Sequence, residues 1–141
     1  MDDFTAVSGT ELTSGCNFRM GLKGGGFAVD SHKDGKTVID LNTSSKFRDG
    51  LIFIFGESAG NLLIKVERRV DVGKYCSLGY LREEEGQLVI ENDPVANVKL
   101  ERYDDIYYNI AHGSKCYNPE SGRFDNNPDV KGRSQLYFVK E

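Results

Sequence analysis

Few residues in this sequence have the chemistry of a catalytic or metal site. Among 141 residues there are three Cys and two His, and Cys16, Cys76 and Cys116 lie far apart without a CxxC motif. A structural zinc ion takes four nitrogen or sulfur ligands, so it would use almost every Cys and His in the chain. His32 and His112 have no recognisable Ser or Cys partner for nucleophilic catalysis. The sequence therefore predicts no metal, no cofactor and no enzymatic activity.

A basic pair offers a different kind of chemistry, namely recognition of a carboxylate. Lys46 and Arg48 stand just before the apolar run at 51–55. Such a pair is typical of a solvated turn, and an exposed Arg can also form a charge-assisted contact with a carboxylate. The nearby Asn42-Thr43-Ser44 is an N-glycosylation sequon, and a glycan there would block this segment in a secreted protein.

Composition and charge narrow the classes of protein and partner. The length predicts one domain, spanning 1–141. A net charge of -4 and a pI near 5.2 predict no nucleic-acid partner, because phosphate neutralisation needs a basic face. The apolar run at 51–55 is too short to span a membrane. The first residues lack the basic and apolar regions of a signal peptide.

The elements that position these residues are predicted to be short β-strands. Alternating apolar pairs recur within β-branched or aromatic runs, as at Ile52 and Ile54 or Leu136 and Phe138. Turn signals separate the runs, and three of them mark hairpins at 33–36, 84–87 and 120–123. A self-similarity of roughly 40–45 residues predicts a repeat architecture, with approximate repeats 1–60, 61–105 and 106–141. Three units of four strands predict a β-trefoil, an all-β six-stranded barrel capped by three hairpins.

Several short motifs carry a resemblance to a known family. The positions Gly9, Leu12, Gly15 and Phe18 fall at three-residue steps, and a glycine triplet follows at 24–26. Further matching segments come in the same order along the chain, at 50–55, 76–89, 98–110 and 135–140. Together they resemble the Kunitz soybean-trypsin-inhibitor family. The resemblance implies a β-trefoil and, as in many members, inhibition of a serine protease by substrate-like insertion of an exposed loop.

The resemblance also implies where the reactive loop lies. Its residues are Thr43, Ser44, Ser45, Lys46, Phe47, Arg48 and Asp49. Arg48 is the leading candidate for P1, the residue that enters the specificity pocket, and Lys46 is the second basic candidate. Counting back by the family's usual spacing leads instead to Thr43, so the register of P1 stays open. Ser14 and Asn17 are the candidates for bracing this loop, as an Asn does in family members.

Departures from the family bear on the compartment. Members normally carry two disulfides, and Cys76 and Cys116 resemble single partners of lost pairs. Lys36 or Thr37, and His112, stand where the missing partners would be. The missing cross-links and the absent signal peptide favour the cytoplasm, whereas the family implies a secreted or vacuolar protein. Buried free cysteines are favoured over a single disulfide.

The expected partner is a trypsin-like serine protease, bound by a monomer, and other functions stay open. One is a non-inhibitory binding module for a protein or a glycan. The sugar-binding version is less attractive because its repeats use a Gln-x-Trp pattern and this chain has no Trp. Another is inhibition of a cysteine protease or other hydrolase through the loop at 84–86 or at 119–121.

Overall fold

The computed structural model describes residues 15–41 and 45–141, together with the backbone of two short strands. These strands, β1 (Phe4–Thr5) and β2 (Glu11–Leu12), pair antiparallel with each other. The chain is all-β, with 58% of residues in strands and 6% in helices. The prediction of an all-β protein is therefore confirmed.

Twelve further strands form one sheet. They are β3 (Asn17–Leu22), β4 (Val29–Lys33), β5 (Lys36–Asp40), β6 (Ile52–Ser58), β7 (Asn61–Asp71), β8 (Lys74–Glu84), β9 (Gln87–Glu91), β10 (Lys99–Arg102), β11 (Tyr108–His112), β12 (Lys115–Asn118), β13 (Arg123–Asp125) and β14 (Leu136–Lys140). A 3-10 helix (Phe47–Asp49) lies between β5 and β6, and a short helix α1 (Asp129–Arg133) precedes β14.

The sheet closes into an antiparallel barrel. Its strands follow the order β13-β12-β11-β14-β3-β6-β7-β8-β9, and β9 pairs with β13 to complete a ring of nine. Two extra strands, β5 and β4, continue outward from β9, and β10 pairs with β11. All the pairings are antiparallel, as expected for consecutive strands joined by short turns.

The β-trefoil prediction is wrong. In a trefoil the hairpins cap a separate six-stranded barrel, whereas here β8, β9, β12 and β13 are members of the closed ring. The seam between β9 and β13 explains the difference. Arg123 pairs with Gln87 and donates its guanidinium to the Glu85 carbonyl at 3.0 Å, while Phe124 N–H donates to the Gly86 carbonyl at 2.8 Å. These contacts join residues about 36 positions apart, and periodicity along the chain does not reveal them.

The three predicted hairpins are confirmed. The turns at 33–36, 84–87 and 120–123 join β4 to β5, β8 to β9 and β12 to β13. In the first two, both central residues have positive φ: 53° and 76° at Asp34 and Gly35, and 52° and 81° at Glu85 and Gly86. This is the pattern of a type I′ turn, whose twist matches that of the strands it connects.

Large apolar side chains from the barrel strands fill its interior. Phe18, Phe53, Phe55 and Phe138 are almost fully buried, and the rings of Phe55 and Phe138 meet edge to face at 5.3 Å. The residues of the candidate site lie outside this core, on the 3-10 helix before β6 and on the outer ends of β7 and β8. The barrel is therefore the rigid support from which the turns project.

None of the three described cysteines is in a disulfide bond. Cys116 is buried, as predicted, and Cys16 is half-buried against the core. Cys76 is exposed, so the prediction of burial is wrong for this residue. Its strand extends beyond the body of the barrel, which a local sequence pattern does not indicate.

Candidate functional site

The segment that holds Arg48 is a tight turn. Lys46 is extended, with φ −84° and ψ 163°, and the 3-10 helix follows it directly. Asp49 N–H donates to the Lys46 carbonyl at 3.1 Å, and Gly50 N–H donates to the Phe47 carbonyl at 3.2 Å. The expected extended loop is therefore not observed at 47–49. Thr43 and Ser44, like the sequon at 42–44, lie outside the described residues.

Phe47 anchors this turn on the barrel. Its ring meets the ring of Phe27 edge to face at 5.4 Å. Backbone hydrogen bonds hold both ends, from Phe27 N–H to the Ser45 carbonyl at 3.2 Å and from Leu51 N–H to the Ala28 carbonyl at 2.8 Å. The side chain that precedes Arg48 is thus packed inward, which turns Arg48 outward.

A buried arginine braces the turn from beneath. Arg19 lies in β3 and is 1% exposed. Its Nη1 donates to the Phe47 carbonyl at 2.6 Å and to the Gly50 carbonyl at 2.7 Å, and its guanidinium lies 4.9 Å from the centre of the Phe47 ring. Charge-assisted hydrogen bonds of this kind are the strong ones in proteins. The two carbonyls lie on either side of Arg48, so one guanidinium fixes the backbone that presents it.

Arg19 takes the bracing role predicted for Ser14 or Asn17. Ser14 lies outside the described residues, and Asn17 contributes its backbone carbonyl, which accepts a hydrogen bond from Glu141 N–H at 2.9 Å. Sequence reasoning missed Arg19. A signal was present, since this Arg lies between the apolar residues Phe18 and Met20 in a strand.

A long hairpin stands beside this turn. We define the β7–β8 tip as residues 68–77, all of which are exposed. Among them Val70 is 61% exposed, Val72 79% and Tyr75 37%. The register shifts twice in β7, between Val66 and Glu67 and between Arg69 and Asp71, and such bulges bend and twist a strand.

The base of the tip is tied to the barrel on both sides. Arg68 forms an ion pair with Asp30 on β4. Tyr75 donates its hydroxyl to the carboxylate of Glu141 at 3.1 Å, and the same carboxylate lies 3.5 Å from the guanidinium of Arg19. Glu141 therefore connects the brace beneath Arg48 with the tip.

Arg48 and the tip share a cleft. A cleft of about 290 Å³ is lined by Arg48 and Asp49 on one side and by residues 69–72 on the other. A second cleft, of about 230 Å³, is lined by Arg48, Arg69 and the ion pair of Arg68 with Asp30. Arg48 thus lies next to the hairpin.

Several cations on this surface have no ion pair within the described residues. Lys46, Arg48, Arg69 and Lys74 form no ion pair with any other described residue. Two acids, Asp49 and Asp71, line the same cleft as Arg48 and Arg69, and Asp71 accepts a hydrogen bond from Val72 N–H at 2.7 Å, while Asp30 is paired with Arg68. The four cations outnumber Asp49 and Asp71 on this surface, which suits it to an acidic partner.

The other candidate residues lie away from Arg48. His112 donates its Nδ1–H to the Asn97 carbonyl at 2.7 Å, and its Nε2 lies 3.6 Å from the Glu83 carboxylate. The loop at 84–86 is tied by an ion pair from Lys36 to Glu84 at 2.8 Å. That contact raises the pKa of Lys36 and lowers the pKa of Glu84.

The loop at 119–121 borders a cleft of about 390 Å³, opposite the β4–β5 hairpin. His32 also lines it. Within the described residues, no group of three or more His, Cys, Asp or Glu side chains is arranged to hold a metal ion. None of the described helices is long and apolar enough to cross a membrane.

No protein-family model matches this chain, and no curated protein matches it either. The resemblance to the Kunitz family therefore stays a prediction. Any function has to be argued from the site itself, whose main features are Arg48 on a braced turn and the exposed β7–β8 tip beside it.

Proposed function

We propose that this protein binds and inhibits a trypsin-like serine protease, with Arg48 entering the protease's acidic specificity pocket. The observation that carries the proposal is the bracing of the turn. Arg48 is exposed, while the carbonyls on either side of it are both held by the buried guanidinium of Arg19 at 2.6 and 2.7 Å. A specificity pocket with a carboxylate at its base accepts an exposed basic side chain, and here the backbone that carries this side chain is already fixed.

The brace supports binding through entropy. Ordering a mobile loop on binding opposes association, and a segment that is already fixed avoids most of that cost. Here the fixed segment is short, and Phe47 packs on one side while Arg19 holds the carbonyls from below. Lys46 is exposed too, but it precedes the braced segment. Arg48 is therefore the better candidate, and Lys46 is its natural control.

The turn also constrains how a protease would engage it. A protease binds its substrate as an extended strand, whereas the carbonyls of Lys46 and Phe47 accept hydrogen bonds within the turn. The pose we propose keeps this turn and uses the Arg48 side chain. In that pose the bond between Arg48 and Asp49 is not presented as in a substrate, and it should survive incubation with the protease.

Inhibition of trypsin with a small chromogenic substrate tests the proposal. We expect the Arg48→Ala variant to weaken inhibition by about 100-fold or more, with an unchanged melting temperature. The matched control Lys46→Ala should inhibit like the wild type. Failure of the wild-type protein to inhibit trypsin at micromolar concentration would overturn the proposal. A larger loss in Lys46→Ala than in Arg48→Ala would reject Arg48 as the entering residue.

A second candidate function is a non-inhibitory protein-binding module that uses the same surface. The hydrogen bonds inside the turn favour it, because they occupy carbonyls that would otherwise pair with a protease strand. Mass spectrometry after incubation with trypsin separates the alternatives. An intact Arg48–Asp49 bond together with inhibition supports the first candidate. Rapid cleavage at that bond with loss of inhibition leaves Arg48 as an ordinary cleavage site and favours the second.

A further inference from the structure

We propose that the β7–β8 tip is a second contact surface for the protease that takes Arg48, so that binding is two-sited. This inference rests on the proposed function and adds a specific role for residues 68–77. The tip lies beside Arg48, since Arg48 and residues 69–72 line the same cleft of about 290 Å³. A body large enough to cover the Arg48 side chain meets the tip as well.

The exposed side chains of the tip are of the kind that a partner buries. Val70 and Val72 are 61% and 79% exposed, and they account for two of the six large hydrophobic side chains exposed in the described residues. Burial of such side chains against a partner is favourable in proportion to the apolar area removed from water. The tip belongs to a two-stranded ribbon whose β7 and β8 ends pair only with each other beyond the barrel.

Charge indicates which surface the tip fits. Arg69 and Lys74 form no ion pair with another described residue, and Arg48 faces the same cleft as Arg69. An apolar depression with carboxylates at its rim, next to the acidic specificity pocket, complements this pattern. A second copy of this chain fits less well, because each tip carries Arg69 and Lys74 against the single acid Asp71, so that two tips placed together would repel through their excess positive charge. The occupant we assign is therefore the protease.

Because the tip is anchored at its base, its contribution to protease binding can be measured separately from that of Arg48. Its base is fixed by the Arg68–Asp30 ion pair and by Tyr75, which bonds Glu141, whereas Val70 and Val72 lie beyond both. Changing the two valines therefore leaves the brace beneath Arg48 intact. The Arg48 turn and the β7–β8 tip can therefore each be tested by a substitution that leaves the other unchanged.

The test compares inhibition constants for trypsin among four proteins. They are the wild type, Arg48→Ala, the double variant Val70→Ser with Val72→Ser, and Val95→Ser. Val95 is 38% exposed and is absent from the clefts that Arg48 lines, so it is the matched control. We expect the double variant to inhibit about 10-fold more weakly than the wild type, and Val95→Ser to match the wild type within about twofold.

The outcomes separate the two proposals. If the wild type inhibits, Arg48→Ala does not, and the double variant equals Val95→Ser, the tip contact is overturned and the proposed function stands. If the wild type leaves trypsin uninhibited, both are overturned for this protease. A third measurement uses trypsin saturated with benzamidine, which occupies the specificity pocket. Residual binding that the double variant loses supports the tip contact, and equal residual binding by both proteins contradicts it. Thermal melts of all four proteins confirm folding.

Discussion

The Arg48 turn and the β7–β8 tip are neighbours that present exposed side chains in opposite ways. The turn is short and held from inside by Arg19, Phe27 and backbone hydrogen bonds. The tip is long, exposed along its whole length and tied only at its base. A braced turn favours binding because it loses little conformational entropy when the partner binds. The tip would add to the binding free energy mainly through the apolar area that the partner buries. On this surface the Arg48 turn therefore supplies rigidity, and the β7–β8 tip supplies contact area.

Removing the brace has the largest expected effect. We expect Arg19→Met to lower the free energy of unfolding by about 3 kcal/mol, because the carbonyls of Phe47 and Gly50 lose charge-assisted hydrogen bonds beneath the surface. Inhibition should weaken as well, since the turn would become as loosely held as the tip. Urea denaturation measures the change. Arg19→Lys should restore only part of the lost free energy of unfolding. A lysine ammonium lacks the forked N–H donors of a guanidinium and the planar face that stacks on Phe47.

A loss below about 1 kcal/mol in Arg19→Met would mean that the turn is held by Phe47 packing alone. The difference in rigidity between the turn and the tip would then be due to the Phe47 ring and not to Arg19.

Thiol reactivity should distinguish the tip from the barrel by about a hundredfold. Cys76 is exposed on the tip, whereas burial raises the pKa of Cys116 to about 11. The thiolate is the reactive form, and its fraction falls about tenfold for each unit by which the pKa exceeds the pH. Iodoacetamide at pH 8 should therefore label Cys76 long before Cys116, as read by mass spectrometry. The labelling of Cys116 should rise with pH towards 11.

Equal labelling rates at Cys76 and Cys116 would contradict the exposure of the tip or the burial of β12. The same experiment in urea is the control, because unfolding should bring the two rates together.

The aromatic anchor of the turn should have an intermediate effect. We expect Phe47→Ala to cost about 1–2 kcal/mol of stability, since it removes the edge-to-face contact with Phe27 and the stacking surface for Arg19. Phe47→Leu keeps apolar volume without the ring and should cost less. Thermal and urea unfolding of both variants give the difference. Equal losses would show that the ring geometry contributes nothing.

The smallest effect is expected at the base of the tip. Arg68→Gln removes the ion pair with Asp30, which is partly exposed, and should change the free energy of unfolding by about 0.5 kcal/mol. Hydrogen exchange of tip amides should nevertheless speed up, because one of two ties is lost. Lys99→Gln, which removes the exposed pair with Glu101, is the matched control and should leave the tip unchanged. Unaltered exchange in Arg68→Gln would show that the tie to Glu141 suffices.

Much of the local structure was predictable from sequence. Alternation located strands such as β6 and β14, and the residue pairs Asp34-Gly35 and Glu85-Gly86 predicted hairpin turns because few other residues tolerate positive φ. The turn at Val72-Gly73, where φ is 71° at the glycine, lacks such a residue pair and was not predicted. The tip was missed with it.

Sequence by itself determined the all-β class, the hairpins and the scarcity of metal or nucleophile chemistry, because these follow from residue types and from contacts a few positions apart. Tertiary structure alone decided the closure of the ring at β9 and β13, the packing of Arg19 beneath Arg48, and the nearness of the tip. Each of these depends on which distant edges and side chains meet in space. Arg19 lies 31 positions from the Gly50 carbonyl it holds, and a buried cation acquires its role only from the groups that surround it.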